Sequence, residues 1–180
     1  MKDRGSFRAL ARVIMRRCAL RLFRVDVQYT ALTVDALAAE ACVVTCNHVS
    51  LLDGVIVALA SPVPLAFAVD TDFARRSRGA VMGLKALAWL GFGVVVPLDS
   101  TAPFGMRELM RRLRHGESVM VFPEGRISVN GERGTDAPGL QWLIDRTGSK
   151  VVPLEIRGAE RSILFAKRGC HWWPRISLIF

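Results

Sequence analysis

Cysteine is scarce in this chain, and its four copies, Cys18, Cys42, Cys46 and Cys170, fall into no disulfide framework or paired-ligand spacing. Cys42 and Cys46 share one face of an apolar run with His48 close behind. A metal site would need more ligands than that region offers, so no metal is expected and the thiols read as core residues in a reducing compartment. Long apolar runs are missing too. A membrane-spanning helix needs about 20 apolar residues. Gly54 to Val69 is uncharged but short and broken by Pro62 and Pro64, and Val81 to Leu98 carries Lys85 and three glycines. No apolar core followed by a small-residue cleavage site opens the chain, so no secretory signal is read there. Aromatics do not interleave with the basic residues as they do in single-strand binders, and no groove-reading motif is present. Nucleic acid is therefore not an expected partner.

Acidic residues are the other shortage: 16 Asp and Glu against 25 Lys and Arg leave a net charge of +9. With nucleic acid set aside, an anionic membrane surface is the partner that such a charge suits. The distribution sharpens this. Arg4, Arg8, Arg12 and Arg16 recur at i, i+4 spacing, joined by Arg17, Arg21 and Arg24, while Phe7, Leu10, Ala11, Ile14, Cys18 and Leu22 form an apolar stripe of helical period. Residues 1–24 are thus expected to form a basic amphipathic helix lying in a lipid headgroup layer. The competing reading is a helix packed on its own domain with a solvated arginine face. A hydrophobic content of 51% and a mean hydropathy of +0.29 suit buried core or membrane-contacting surface.

The remaining 155 or so residues fit one domain. Expected strands are Val25–Tyr29, Ala41–Cys46, Leu65–Val69, Gly93–Leu98, Ser118–Phe122, Val151–Ile156 and Ile176–Phe180. Helices are expected after Asn47 or Ser50 (either a candidate cap) through Ala60, over Phe73–Trp89, over Phe104–Arg114 and near Leu140–Arg146. Continuous apolar strands alternating with helices predict an α/β domain with a mostly parallel or mixed sheet covered by helices. Sites in such sheets lie beyond the carboxyl ends of the strands.

Two segments occupy such positions. Asn47-His48-Val49-Ser50-Leu51-Leu52-Asp53 places a histidine and a carboxylate five residues apart where a strand gives way to a helix. An imidazole can take a proton from an alcohol attacking a carbonyl, and a carboxylate fixes its tautomer and stabilises the imidazolium. Backbone N–H groups at the start of the following helix are candidates for holding the oxyanion. The second segment, Phe122-Pro123-Glu124-Gly125-Arg126, follows another apolar strand. Glu124 suits acceptor hydroxyls, Gly125 lets backbone approach a ligand, and Arg126 can pair a phosphate in bidentate fashion.

In this order and spacing the two segments resemble the glycerolipid acyltransferase superfamily, which includes lysophosphatidic acid acyltransferases, over residues 25–180. The resemblance implies transfer of a fatty acyl group from a thioester, acyl-acyl carrier protein or acyl-coenzyme A, to a glycerol hydroxyl of a lysophospholipid, with no bound cofactor. It implies His48 as base, Asp53 as its partner, Glu124, Gly125 and Arg126 in acceptor binding, and Val152-Pro153 along the acyl chain. The implied location is peripheral, on the cytoplasmic face of the inner (plasma) membrane.

The departures bear on the acceptor. Proline (Pro97) stands where relatives making phosphatidic acid carry an arginine, and Asp70 closes a strand that such relatives follow with a lysine. A phosphate monoester carries about −1.5 to −2 at neutral pH, so losing cations disfavours it more than a diester, and Asp70 could meet an ethanolamine ammonium. The runs His48–Gly54, Phe67–Val69, Val96–Asp99 and Phe122–Ser128 are most similar to the acyltransferase part of bifunctional 2-acylglycerophosphoethanolamine acyltransferase/acyl–acyl carrier protein synthetases. Lysophosphatidylethanolamine is thus the expected acceptor, with lysophosphatidic acid the alternative and a catalytically silent lipid-binding module a further one. No ligase follows in these 180 residues, which implies a stand-alone domain, a piece of a longer chain, or a subunit supplied by a separate acyl-activating ligase.

Overall fold

Apolar strands too short to stand alone assemble here into one seven-stranded sheet with helices on both faces. The computed structural model describes residues 3–70, 78–98, 104–128 and 134–180. In chain order the elements are α1 (Asp3–Leu22), β1 (Val25–Gln28), α2 (Ala31–Ala39), β2 (Val43–Cys46), α3 (Asp53–Ala60), β3 (Leu65–Asp70), α4 (Arg78–Trp89), β4 (Gly93–Leu98), α5 (Phe104–Arg114), β5 (Val119–Val121), α6 (Pro138–Thr147), β6 (Val151–Arg157) and β7 (Ile176–Ile179). The strand order is β1-β7-β6-β2-β5-β3-β4. Each neighbouring pair is parallel except β6 and β7. The expected α/β class with a mostly parallel sheet is therefore observed.

Why the strands read as continuous apolar runs follows from the layers. Cys42, Val44 and Cys46 on one face of β2 share a core with Ile56 and Leu59 of α3 and Leu84 and Leu87 of α4. Val43, on the other face, packs with Leu109 and Leu113 of α5 and Leu143 of α6. All four residues of β2 are buried, so no polar alternation is tolerated. Pro153 sits in β6 opposite Thr45, on a stretch that β7 does not reach, because β7 pairs only with Glu155, Ile156 and Arg157. A missing N–H costs little on such an open side.

One element was missed by the sequence. Helix α2 was not anticipated; it buries only Leu37, too little to give a periodic signal, and Thr30 begins it by accepting the Thr33 N–H at 3.3 Å. The helix expected from Phe73 is observed from Arg78, and residues 71–77 lie outside the described ones. Helix α1 does form, and a second row of its side chains packs inward. Met15, Ala19 and Leu20 pack against the core, and the Arg16 guanidinium donates to the Ala60 carbonyl at 2.6 Å and to the Tyr29 hydroxyl. The described side chains of the expected apolar stripe, Leu10, Ile14, Cys18 and Leu22, all face outward. No helix among the described residues is long and apolar enough to cross a membrane.

Candidate active site

Strands β2 and β5 are parallel neighbours, with Val43 beside Val119 and Thr45 beside Val121. Both therefore end at the same edge of the sheet, and the loops that leave them emerge side by side. The His48 and Glu124 segments, more than seventy residues apart in sequence, meet there for that reason.

Asp53 is the first residue of α3 and is wholly buried. A buried carboxylate survives only if its oxygens are bonded. Its Oδ2 accepts the N–H groups of Val49 at 2.6 Å and Ser50 at 2.8 Å, and lies 2.9 Å from His48 Nδ1. Its Oδ1 accepts the Ser50 hydroxyl at 2.5 Å. The helix N-terminus adds a favourable field. With Nδ1–H donated to Asp53, Nε2 is the acceptor nitrogen of that tautomer. The ring is further fixed by Phe122, whose plane stacks on it at a centroid distance of 4.1 Å and 18°. Burial, and secondarily the Asp53 charge, push the Cys46 thiol well above its usual range, so it stays protonated.

The second segment is tied to the first by its backbone and by a carboxylate. Glu124 Oε1 accepts the His48 N–H at 3.4 Å and Oε2 the Gly134 N–H at 3.1 Å. The Ser128 N–H donates to the His48 carbonyl at 2.7 Å. Gly125 adopts φ +62° and closes a turn through its N–H to the Phe122 carbonyl at 3.1 Å. Arg126 is exposed beside it.

The other expected site residues lie farther along the same sheet. Asp70 ends β3, the strand beyond β5, with Val69 in register with Pro97 on β4. Val152 and Pro153 lie on β6, the other neighbour of β2; Val152 is buried in the core and Pro153 is exposed. His48, Asp53, Glu124, Gly125 and Arg126 are thus brought together, and Asp70 stands two strands away from the His48 strand.

Local details differ from the expected ones. Neither Asn47 nor Ser50 caps α3: the cap position is Leu52, which makes no side-chain capping bond. Asn47 instead spans to β6, donating Nδ2–H to the Ile156 carbonyl at 2.8 Å and accepting the Ile156 N–H at 2.7 Å. Its amide imitates a backbone unit and prolongs the β2–β6 pairing past Cys46. Of the backbone donors near the start of α3, those of residues 49–53 are engaged. Val49 and Ser50 give theirs to Asp53, Leu51 to the Phe165 carbonyl, Leu52 to Ser50 Oγ and Asp53 to the Ser50 carbonyl. Sequence reasoning missed Phe122, Asn47 and Phe165 as supports of the loop. An aromatic closing a strand and an asparagine ending one were the signals available for the first two; Phe165 had none.

A family model described as Acyltransferase matches residues 26–157. The chain belongs to the acyltransferase family. Among curated proteins, this acyltransferase is 26% identical over 122 residues to the chloroplastic 1-acyl-sn-glycerol-3-phosphate acyltransferase BAT2 of Brassica napus. The match takes in 65% of the chain and 33% of that relative, so the chain spans about a third of its length. Among solved structures it resembles the 1-acyl-sn-glycerophosphate (LPA) acyltransferase PlsC of Thermotoga maritima, with a TM-score of 0.65 at 21% identity, covering 99% of this chain and 71% of the other. At that identity the likeness establishes a shared fold.

Proposed function

We propose that this acyltransferase moves a fatty acyl group from a thioester to the free glycerol hydroxyl of a lysophospholipid, with His48 as general base. The observation that carries the reading is the buried His48–Asp53 contact at 2.9 Å beside the Glu124–Arg126 turn. His48 Nε2 takes the hydroxyl proton as the oxygen attacks the thioester carbonyl, and Asp53 supports the imidazolium that forms. Collapse of the tetrahedral intermediate breaks the C–S bond, and the imidazolium returns its proton to the departing thiolate. Atoms and charge balance without a cofactor, and the donor is acyl-coenzyme A or acyl-acyl carrier protein. Gly125 and Arg126 hold the acceptor phosphate, and Glu124 keeps that turn against the His48 loop. Val152 and Pro153 are the residues along which the acyl chain is read to lie. The amides of residues 49–53 are engaged by Asp53, Ser50 and the Phe165 carbonyl, so oxyanion stabilisation falls to groups other than these five amides. Residues 1–24 serve as the surface helix and 25–180 as the catalytic domain, peripheral on the cytoplasmic face of the inner membrane.

For the acceptor, the similarity to proteins named for 1-acylglycerol 3-phosphate favours lysophosphatidic acid. A second reading rests on Asp70 and Pro97, at neighbouring strand ends, and on the resemblance to the bifunctional ethanolamine-lipid enzymes; it favours lysophosphatidylethanolamine and a separate acyl-activating ligase. Competition between the two acceptors for one labelled acyl thioester separates them. Lysophosphatidic acid should win. An ethanolamine preference that inverts in Asp70→Lys would replace the first reading with the second.

A further inference from the structure

Apart from the Phe165 carbonyl that supports the catalytic loop, the connection between β6 and β7, residues 158–175, has no task in the acyl-transfer reading, yet it presents large apolar side chains to solvent. Trp172 is 69% exposed and Trp173 41%. They are not loosely hung. The Trp173 ring stacks on Phe23 at a centroid distance of 6.2 Å, its Nε1–H donates to the Leu22 carbonyl at 2.6 Å, and the Arg24 guanidinium donates to the Trp173 carbonyl at 3.1 Å. The end of α1 and this connection therefore form one surface, joined at Leu22, which is 62% exposed. Behind it lies an apolar groove open to solvent, bordered by Phe23, Leu52, Phe165 and Trp172. The two tryptophans border open space rather than completing a core.

Charge surrounds the same patch. Arg21 and Arg24 are exposed at the end of α1, and Arg175 is exposed two residues beyond Trp173. Exposed Arg161 accepts the His171 N–H on its carbonyl at 2.9 Å, next to Trp172. Glu160 is the single acidic residue of residues 158–175. From Leu22 the outward stripe of Cys18, Ile14 and Leu10 extends the surface along α1, whose 20 residues span about 30 Å.

Resting on the surface-helix reading above, we propose that the bilayer-facing surface continues beyond residues 1–24 onto Trp172 and Trp173, and that this whole face docks on an anionic lipid bilayer. Tryptophan carries an apolar body with a polar edge and favours the headgroup level. Arginines beside it draw the protein to acidic lipids, each contributing about fivefold in affinity. A long, shallow, basic and apolar surface complements a bilayer in both shape and charge. The docking element is thereby larger than residues 1–24. The Leu51 N–H donates to the Phe165 carbonyl at 2.8 Å, so the connection also touches the loop that carries His48 and Asp53.

Sedimentation of the full chain with vesicles of phosphatidylglycerol and phosphatidylcholine tests the proposal, with phosphatidylcholine vesicles and duplex DNA in parallel. The parent should bind the phosphatidylglycerol vesicles selectively. Trp172→Ala should weaken that binding about tenfold and Arg175→Gln about fivefold, while Trp142→Ala, on α6, should leave it unchanged. Both test positions are exposed, and a melting curve verifies that the variants are folded. Equal binding by parent, Trp172→Ala and Arg175→Gln would overturn the proposal. So would preference for DNA, or self-association that Trp172→Ala abolishes without any effect on vesicles. The readout is binding alone, so its failure leaves the acyl-transfer reading standing, and failure of transfer leaves the docking face standing.

Discussion

At Asp53 one carboxylate takes two backbone N–H groups, a serine hydroxyl and an imidazole contact, all within a buried loop. Removing it strands each of those groups. Asp53→Ala should therefore lose about 3 kcal/mol of stability in urea denaturation and most of its transfer activity. Asp53→Asn keeps the shape, should cost less stability, and should still lose about 10²- to 10⁴-fold in turnover because the imidazole is no longer held in its Nδ1–H tautomer. Equal turnover in Asp53→Asn and parent would separate the pair from the chemistry. The cysteines give a second prediction at this scale. Cys42 and Cys46 are buried with thiols pushed up by desolvation, whereas Cys18 and Cys170 are exposed. Alkylation of the folded protein at neutral pH should label the two exposed thiols and spare the other two until denaturant is added. The His-Asp spacing was legible in the sequence because both residues come from one short loop. The Phe122 stack and the Asn47 bridge were not, since each depends on which strands lie beside β2.

Elements explain why the two motifs meet. The strands ending in Cys46 and Val121 were readable as buried apolar runs, and so was the rule that sites gather at carboxyl ends. Their adjacency was not readable: β5 inserts between β2 and β3 although α4, β4 and α5 lie between β3 and β5 in sequence. Helix α2 escaped because an alanine-rich segment burying one leucine has no stripe to detect. Helix α1 is a related case: two apolar rows run along it, and only packing shows which one the core takes. Glycines offer a contrast that tests the fold at this level. A Cβ on Gly105, in the first turn of α5, would lie 2.6 Å from the Pro97 carbonyl and from Leu98 Cδ2. A Cβ on Gly125 would meet nothing within 4 Å. Gly105→Ala should cost about 1–3 kcal/mol by overpacking, and Gly125→Ala only about 1–2 kcal/mol from its left-handed backbone. Denaturant midpoints check both, and a larger loss at Gly125 than at Gly105 would contradict the packing described.

For the whole molecule, the family match, the sheet and the arrangement of His48, Asp53 and Glu124 converge on acyl transfer, and the docking proposal, resting on a charge of +9 and an outward apolar face, puts that chemistry at a lipid surface. The acceptor is the part that sequence and fold leave to competition, because it depends on cations at strand ends rather than on the architecture. The base is different: the account stands or falls on His48. Transfer of a labelled acyl group from acyl-coenzyme A or acyl-acyl carrier protein to lysophospholipid in mixed micelles, comparing parent with His48→Ala, tests it most directly. The parent should form diacyl product, and the folded His48→Ala protein should fall by about 10²- to 10⁴-fold. Parent-like turnover in a folded His48→Ala protein would contradict the account.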